Sequence, residues 1–178
     1  MMDYSEVLLS LSEVSATFSG FAALVTLFSR RRLEGAGVHD LMRLRLVIGA
    51  SVIVIVAALV PIALAGLEFS RSTTWRLSAL VFQLLIAVVV FNFVSTYRHV
   101  RGAFPPDKVA VCIAVVLEGL VQVCLLLIVF GWSGVENFGL YVSALVITLA
   151  QASFVFLRLV ESSFSSMIVR SDNMGKVV

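Results

Sequence analysis

Charged residues are scarce in this sequence, and their scarcity excludes an ordinary soluble fold. Only 13% of the 178 residues are charged, whereas 60% are hydrophobic, and the mean hydropathy is +1.06. Soluble globular domains contain about 25% charged and roughly 45–50% apolar residues. Too few charges are present to coat a surface that faces water, so lipid must solvate much of the chain.

Cysteine and histidine are also too few and too dispersed for a disulfide framework or a metal centre. Cys112 and Cys124 fall in one apolar run and would lie roughly 18 Å apart along a helix, too far for a disulfide. The two histidines, His39 and His99, fall in separate predicted loops. We therefore expect no metal and no cofactor, and no nucleophile–base pair indicates an enzyme.

Five long apolar segments dominate what is present. A helix needs about 20 apolar residues to cross the hydrocarbon core of a bilayer. The segments that qualify are 7–29, 46–67, 77–97, 109–132 and 138–157. The backbone must satisfy its own hydrogen bonds in lipid, so each segment is predicted to be helical. We expect an all-α integral membrane protein, a five-transmembrane-helix bundle in which residues 1–178 form a single membrane domain with no soluble domain.

Basic residues are distributed unevenly between the loops. No basic residue precedes the first segment, and eleven of the 13 would share one side of the membrane, leaving two on the other. The positive-inside rule therefore predicts a multi-pass protein of the cell membrane with its N-terminus outside and its C-terminus in the cytoplasm. Five arginines of the first loop region are interpreted as the topology signal and as a secondary contact for anionic lipid: Arg30, Arg31, Arg32, Arg43 and Arg45. No folded basic surface accompanies them, so nucleic acid is not an expected partner.

The first segment differs from the others because it carries a polar stripe. At about 100° per residue, one group of residues lies within about 40° of a single line: Glu6, Ser10, Glu13, Thr17 and Gly20. Beside this stripe, small residues recur at a spacing that lets helices approach closely: Ser12, Ala16, Ser19 and Ala23. The stripe requires buried partners or water. It is therefore either a polar seam that holds the bundle together or the wall of an aqueous pathway.

Two glutamates lie inside the apolar segments with no basic residue at the same depth. Glu13 is about five residues, or roughly 7 Å, outside the middle of its segment, and Glu118 is near the middle of the fourth. An ionised carboxylate in hydrocarbon costs several kcal/mol or more, so each acid must take up a proton, face water or bind a cation. Gln83 lies at about the depth of Glu13, whereas Gln122 follows Glu118 by one turn and Gln151 is near the same level as these two. Gln83, Glu118, Gln122 and Gln151 are predicted to form a polar layer, across the bundle or between subunits.

These features predict a non-enzymatic function in the membrane. The first hypothesis is a homo-oligomeric channel that conducts cations, with the polar face of the first helix lining the pathway and a ring of Glu13 attracting the ions. Its expected partners are the lipid bilayer, further copies of the chain, and monovalent or divalent cations. The alternative is a non-catalytic membrane scaffold or complex subunit. The third is a proton-coupled transporter that uses Glu118, although five segments permit no obvious inverted repeat.

Overall fold

Five helices account for nearly all of the chain that the structure describes. The computed structural model describes residues 4–30, 38–67, 69–100, 108–131 and 136–174. The helices in these ranges are α1 (Tyr4–Arg30), α2 (Val38–Ala65), α3 (Arg71–Val100), α4 (Lys108–Phe130) and α5 (Asn137–Met174). All five are long and apolar enough to cross a membrane. The predicted all-α architecture and the predicted number of apolar helices are confirmed.

Among the starts of the five candidate membrane spans, that of α3 departs most from the predicted segments, and α5 continues to Met174, beyond its predicted end at position 157. Helix α3 begins at Arg71, six residues before the predicted start at position 77. Ser70 caps it, because its hydroxyl accepts a hydrogen bond from the Thr73 amide at 3.3 Å and its carbonyl accepts one from the Thr74 amide at 3.0 Å. Serine before a helix satisfies amides that have no partner within the helix. A search for apolar residues alone does not detect this polar first turn.

A proline inside α2 is compensated by a hydroxyl from α5. Pro61 has no amide proton, so the carbonyl of Ala57 lacks its usual partner four residues along the helix. The Tyr141 hydroxyl donates to this carbonyl at 2.7 Å, and Tyr141 is fully buried. Because unpaired polar groups are costly in an apolar core, this contact fixes α5 against α2 at one position.

The helices are arranged with α2 and α5 at the centre. In the described part of the chain, α1 packs along its length only against α2 and α5, while α4 packs against α3 and α5. We call the end where α1, α3 and α5 begin the first end of the bundle, and the opposite end the second end. The main core draws buried side chains from every helix, among them Leu8, Val54, Phe82, Leu125 and Leu145.

Toward the second end, α3 and α4 lie largely outside the packed core. The smaller core there consists of Ala22, Val47 and Phe156, which belong to α1, α2 and α5. In α3, Phe91 is 75% exposed, and in α4 Val115 is 64% exposed. The bundle is therefore packed through all five helices near the first end and through three helices near the second.

Candidate functional site

The polar stripe of α1 points away from the rest of the bundle. The most buried positions of α1 are Leu8, Ser15 and Ala22, at 2%, 0% and 0% exposure, and they recur every seven residues along one line. At about 100° per residue, this line lies about 180° from the centre of the stripe. All the stripe residues are exposed: Glu6, Ser10, Glu13, Thr17 and Gly20. Within one chain, the stripe is therefore not a seam between helices.

The opposite face of α1 is held against α2 by serine. The Ser15 hydroxyl donates to the backbone carbonyl of Ser51 at 2.9 Å, and the Ser51 hydroxyl donates to the carbonyl of Val47 at the same distance. Small buried side chains let the two backbones approach closely. The residues predicted to pack border this line: Ser12, Ser19 and Ala23 are half-buried, and Ala16 is exposed.

The Glu13 carboxylate has no intrachain partner among the described residues. Its neighbour Thr17 directs its hydroxyl to the Glu13 backbone carbonyl at 2.9 Å, so that hydroxyl does not serve the carboxylate. Exposed apolar side chains border the stripe, with Val14 55% and Phe21 57% exposed on one side and Leu9 45% exposed on the other. The Glu13 carboxyl group is thus an exposed member of a polar stripe that apolar side chains border.

Gly20 on the stripe faces open space. A Cβ atom added there would meet nothing within 4 Å. Glycine inside a helix is less favourable than alanine by about 1 kcal/mol, and no contact within the chain requires it at this position. The open space leaves room for the backbone of another helix to approach closely at Gly20.

A second polar group forms between α3 and α4. The Gln83 amide donates to the Gln122 side-chain oxygen, and the Gln122 amide donates to a Glu118 carboxylate oxygen at 2.8 Å. All three side chains are half-buried. Gln151 is not in this chain of bonds, because its amide donates to the backbone carbonyl of Ala114 at 3.3 Å. The structure thus joins three of the four predicted layer residues.

The chain of amides ends at an unsatisfied atom. The side-chain oxygen of Gln83 is buried and accepts no hydrogen bond from the described residues. With Glu118 accepting, both amides must point their nitrogens toward the carboxylate side, which leaves this oxygen at the far end. The two hydrogen bonds therefore run in the same direction, from Gln83 through Gln122 to Glu118 as the final acceptor.

The two acids do not share a site. In the described part of the chain, α1 and α4 have no packing contact, so Glu13 and Glu118 occupy opposite sides of the bundle. Of the arginines predicted as the topology signal, Arg45 is exposed. The others fall beyond what is described, since Arg31 and Arg32 lie outside the described residues, as do the side chains of Arg30 and Arg43.

A cleft at the first end was not predicted. It has a volume of about 440 Å³ and is lined by residues from the start of α3, the end of α4 and the start of α5: Arg71, Ser72, Trp75, Arg76, Gly131, Glu136, Asn137 and Phe138. The sequence interpretation assigned these arginines to a loop, and nothing in the local pattern pairs positions 71–76 with positions 131–138.

The described residues offer no cluster of three or more histidine, cysteine or acidic side chains suited to a metal ion. Comparison of the chain with protein-family models, with curated proteins and with solved structures gives no match. The strongest functional feature is the outward stripe around Glu13.

Proposed function

We propose that the chain is a multi-pass membrane protein that assembles into a homo-oligomeric cation channel, with the α1 stripe of each copy facing a central pathway. The N-terminus lies outside and the C-terminus in the cytoplasm, as the distribution of arginine and lysine favours. One observation carries the proposal. The stripe around Glu13 lies opposite the face by which α1 joins its own bundle.

A lone subunit in a bilayer would expose this stripe to lipid. Placing a carboxylate such as Glu13 in hydrocarbon costs several kcal/mol or more. Association of identical copies around an axis removes the stripe from lipid and gives it water instead. Closed rotational symmetry is the usual form of homo-oligomers, and it repeats one surface around the axis. Gly20, which has open space above it, allows neighbouring helices to approach there.

The charge of the stripe favours cations. Glu6 and Glu13 are its only ionisable residues. Rings of acidic side chains attract and select cations in channels. Beyond Gly20 the same line continues to Leu24, an exposed apolar residue, and a ring of such residues can close a pore by excluding water.

The interior of one bundle supports a pathway between copies rather than through a subunit. Most of the buried positions of α2 and α5 are apolar, including Val54, Ala57 and Leu145, and the buried Ser51 and Thr148 hydroxyls bond to the backbone of their own helices. Packed side chains of this kind leave no continuous polar route. Because α1 is a peripheral helix, it is free to face an axis.

The alternative function uses the same exposed face. A scaffold or complex subunit would place the Glu13 stripe against the polar or basic residues of a different membrane protein. The two functions differ in oligomeric state, since the channel requires identical copies and the scaffold does not. Native mass measurement of the purified protein in mild detergent separates them, and a strictly monomeric protein contradicts the channel.

Water access to the stripe is the direct test of conduction. In a chain in which Cys112 and Cys124 are replaced by alanine, we expect Thr17→Cys to react with a charged, membrane-impermeant thiol reagent and the reaction to block cation flux in liposomes. Val14→Cys is the matched control, because Val14 is exposed on the same helix but off the stripe. Equal reactivity of both positions, or flux that no modification alters, would contradict a pore lined by α1.

A further inference from the structure

The cleft at the first end places fixed charges of opposite sign around one space. Arg71 and Arg76 lie on the α3 side, and Glu136 lies on the α5 side. Within the described residues no ion pair joins either arginine to Glu136. The charges therefore face the cleft without neutralising one another by direct contact.

Both arginines are positioned by neighbours that do not carry charge. The Arg71 guanidinium donates to the Tyr4 hydroxyl at 2.6 Å, and it also lies 4.9 Å from the centre of the Tyr4 ring. The Arg76 guanidinium packs against Gly131, where a side chain would collide with it. Gly131 ends α4 with a φ of 66°, a conformation that suits glycine. The cleft thus holds two oriented guanidinium groups, which are suited to bind phosphate oxygens in pairs.

The helix ends around the cleft add to its attraction for an anion. α3 begins at Arg71 and α5 begins at Asn137, and both starts line the cleft. The N-terminal end of a helix carries a partial positive charge and amides without helical partners. The starts of two helices and two arginines thus line the same cleft.

Glu136 makes a purely anionic ligand a poor match. Its backbone carbonyl accepts the Leu140 amide at 3.4 Å at the start of α5, so its position is fixed by the helix, and its exposed side chain lines the cleft. A carboxylate in this position repels a second anion and attracts an ammonium group. The lining is thus complementary to a ligand that carries both charges.

Aromatic rings complete the lining. Trp75 and Phe138 lie with their ring centres 5.7 Å apart, and Phe138 also packs against Tyr4 at 4.3 Å. Aromatic residues concentrate at the level of lipid headgroups in membrane proteins. The volume of about 440 Å³ lies within the range of small-ligand sites, about 300–1,000 Å³.

We infer that this cleft binds a phosphoethanolamine group, with Arg71 and Arg76 holding the phosphate and Glu136 holding the primary ammonium. Two sources carry this chemistry: the headgroup of a phosphatidylethanolamine lipid, and soluble phosphoethanolamine. The site rests on the cleft and on its level in the membrane, and it does not depend on ion conduction. Phosphatidylcholine is the discriminating competitor, because its quaternary ammonium has no N–H to donate to Glu136.

Lipid titration by native mass spectrometry tests the inference on the delipidated full chain in detergent. Short-chain phosphatidylethanolamine is expected to bind about fivefold more tightly than the matching phosphatidylcholine or phosphatidylglycerol. This is the difference that one charge-assisted hydrogen bond, from the primary ammonium to Glu136, contributes to affinity. Glu136→Gln should remove this preference. Arg76→Gln should lower the affinity for each of the three lipids by about tenfold. Arg45→Gln, an exposed arginine on α2 that does not line the cleft, is the control and should leave the affinities for phosphatidylethanolamine and phosphatidylcholine unchanged.

Equal binding of the three lipids by the unaltered chain would overturn the inference, as would a preference that survives Glu136→Gln. Circular dichroism and a monodisperse elution profile establish that each variant is folded, and Arg76→Lys keeps the charge while removing the paired hydrogen bonds. Soluble phosphoethanolamine is added as a competitor in a second arm. Displacement of the lipid assigns the site to the soluble compound, and its failure to compete assigns the site to the lipid.

Discussion

The two glutamates within the apolar helices have opposite surroundings. Glu118, between α3 and α4, is half-buried and accepts a hydrogen bond from Gln122 at 2.8 Å. Glu13, on α1, is exposed, and no described residue bonds to its carboxylate. The Glu118 carboxylate has a hydrogen-bond partner within its own chain, whereas the Glu13 carboxylate has none among the described residues. An acid with intrachain partners has a structural explanation, and an acid without them is a candidate for a functional role.

The largest expected effect distinguishes the two acids directly. Glu13→Gln should lower cation flux or cation-over-anion selectivity by about tenfold, because it removes a whole ring of charge from the proposed pathway. Glu118→Gln should change either quantity by less than about twofold, since Glu118 lies on the opposite side of the bundle. Flux and reversal potential in liposomes measure both variants. The reverse ranking would transfer the function to the α3–α4 site and to proton coupling.

Two glycines, Gly20 on α1 and Gly119 on α4, extend the comparison to self-association. A Cβ atom at Gly20 or at Gly119 would meet nothing within 4 Å, so a larger side chain at either position leaves the fold of one chain intact. Gly20→Leu should weaken self-association by about tenfold, because it obstructs close approach at the stripe. Gly119→Leu is the matched control on α4. Native mass spectra across a dilution series measure the change, and an equal effect of both variants would argue against an interface centred on α1.

The smallest expected effect concerns stability. Gln122→Leu should lower the free energy of unfolding by about 1–2 kcal/mol, because it leaves Glu118 and Gln83 without their described partner. Thr17→Val on the stripe should change it by less than about 0.5 kcal/mol, because an exposed side chain is altered. Thermal unfolding in detergent compares the two. A stripe variant that destabilises the chain as strongly as Gln122→Leu would mean that the stripe is part of the fold.

Hydropathy alone was sufficient to predict five helices, because each apolar run is long enough to span a bilayer and has no competing fold. Periodicity was sufficient to place Glu13 and Thr17 on one line of α1. It did not decide which way that line faces, since a helix has the same period whether its polar side meets another helix of its chain or the outside. That direction is fixed by Ser15 and by its bond to Ser51, a contact between positions 36 apart.

The first-end cleft lay beyond the reach of a sequence interpretation for a different reason. Its charges come from Arg71 and Arg76 on one element and Glu136 on another, and only the packing of α3 against α5 brings them together. The hydrogen-bonded group between α3 and α4 was anticipated in part, because Gln122 follows Glu118 by one helical turn. Depth along the segments had matched Gln83 with Glu13 and Gln151 with Glu118, whereas Gln83 bonds to Gln122 and Gln151 bonds to the Ala114 carbonyl.

The bond between Tyr141 and the carbonyl freed by Pro61 has a mechanical consequence. A helix bends most easily where a rung of its backbone ladder is missing, and in α2 that rung is supplied by a side chain from α5. Withdrawing the hydroxyl would strand a carbonyl in a dry interior at about 1–3 kcal/mol. We therefore expect bending of α2 at Pro61 to be coupled to displacement of α5 at Tyr141, because this hydrogen bond joins the two helices.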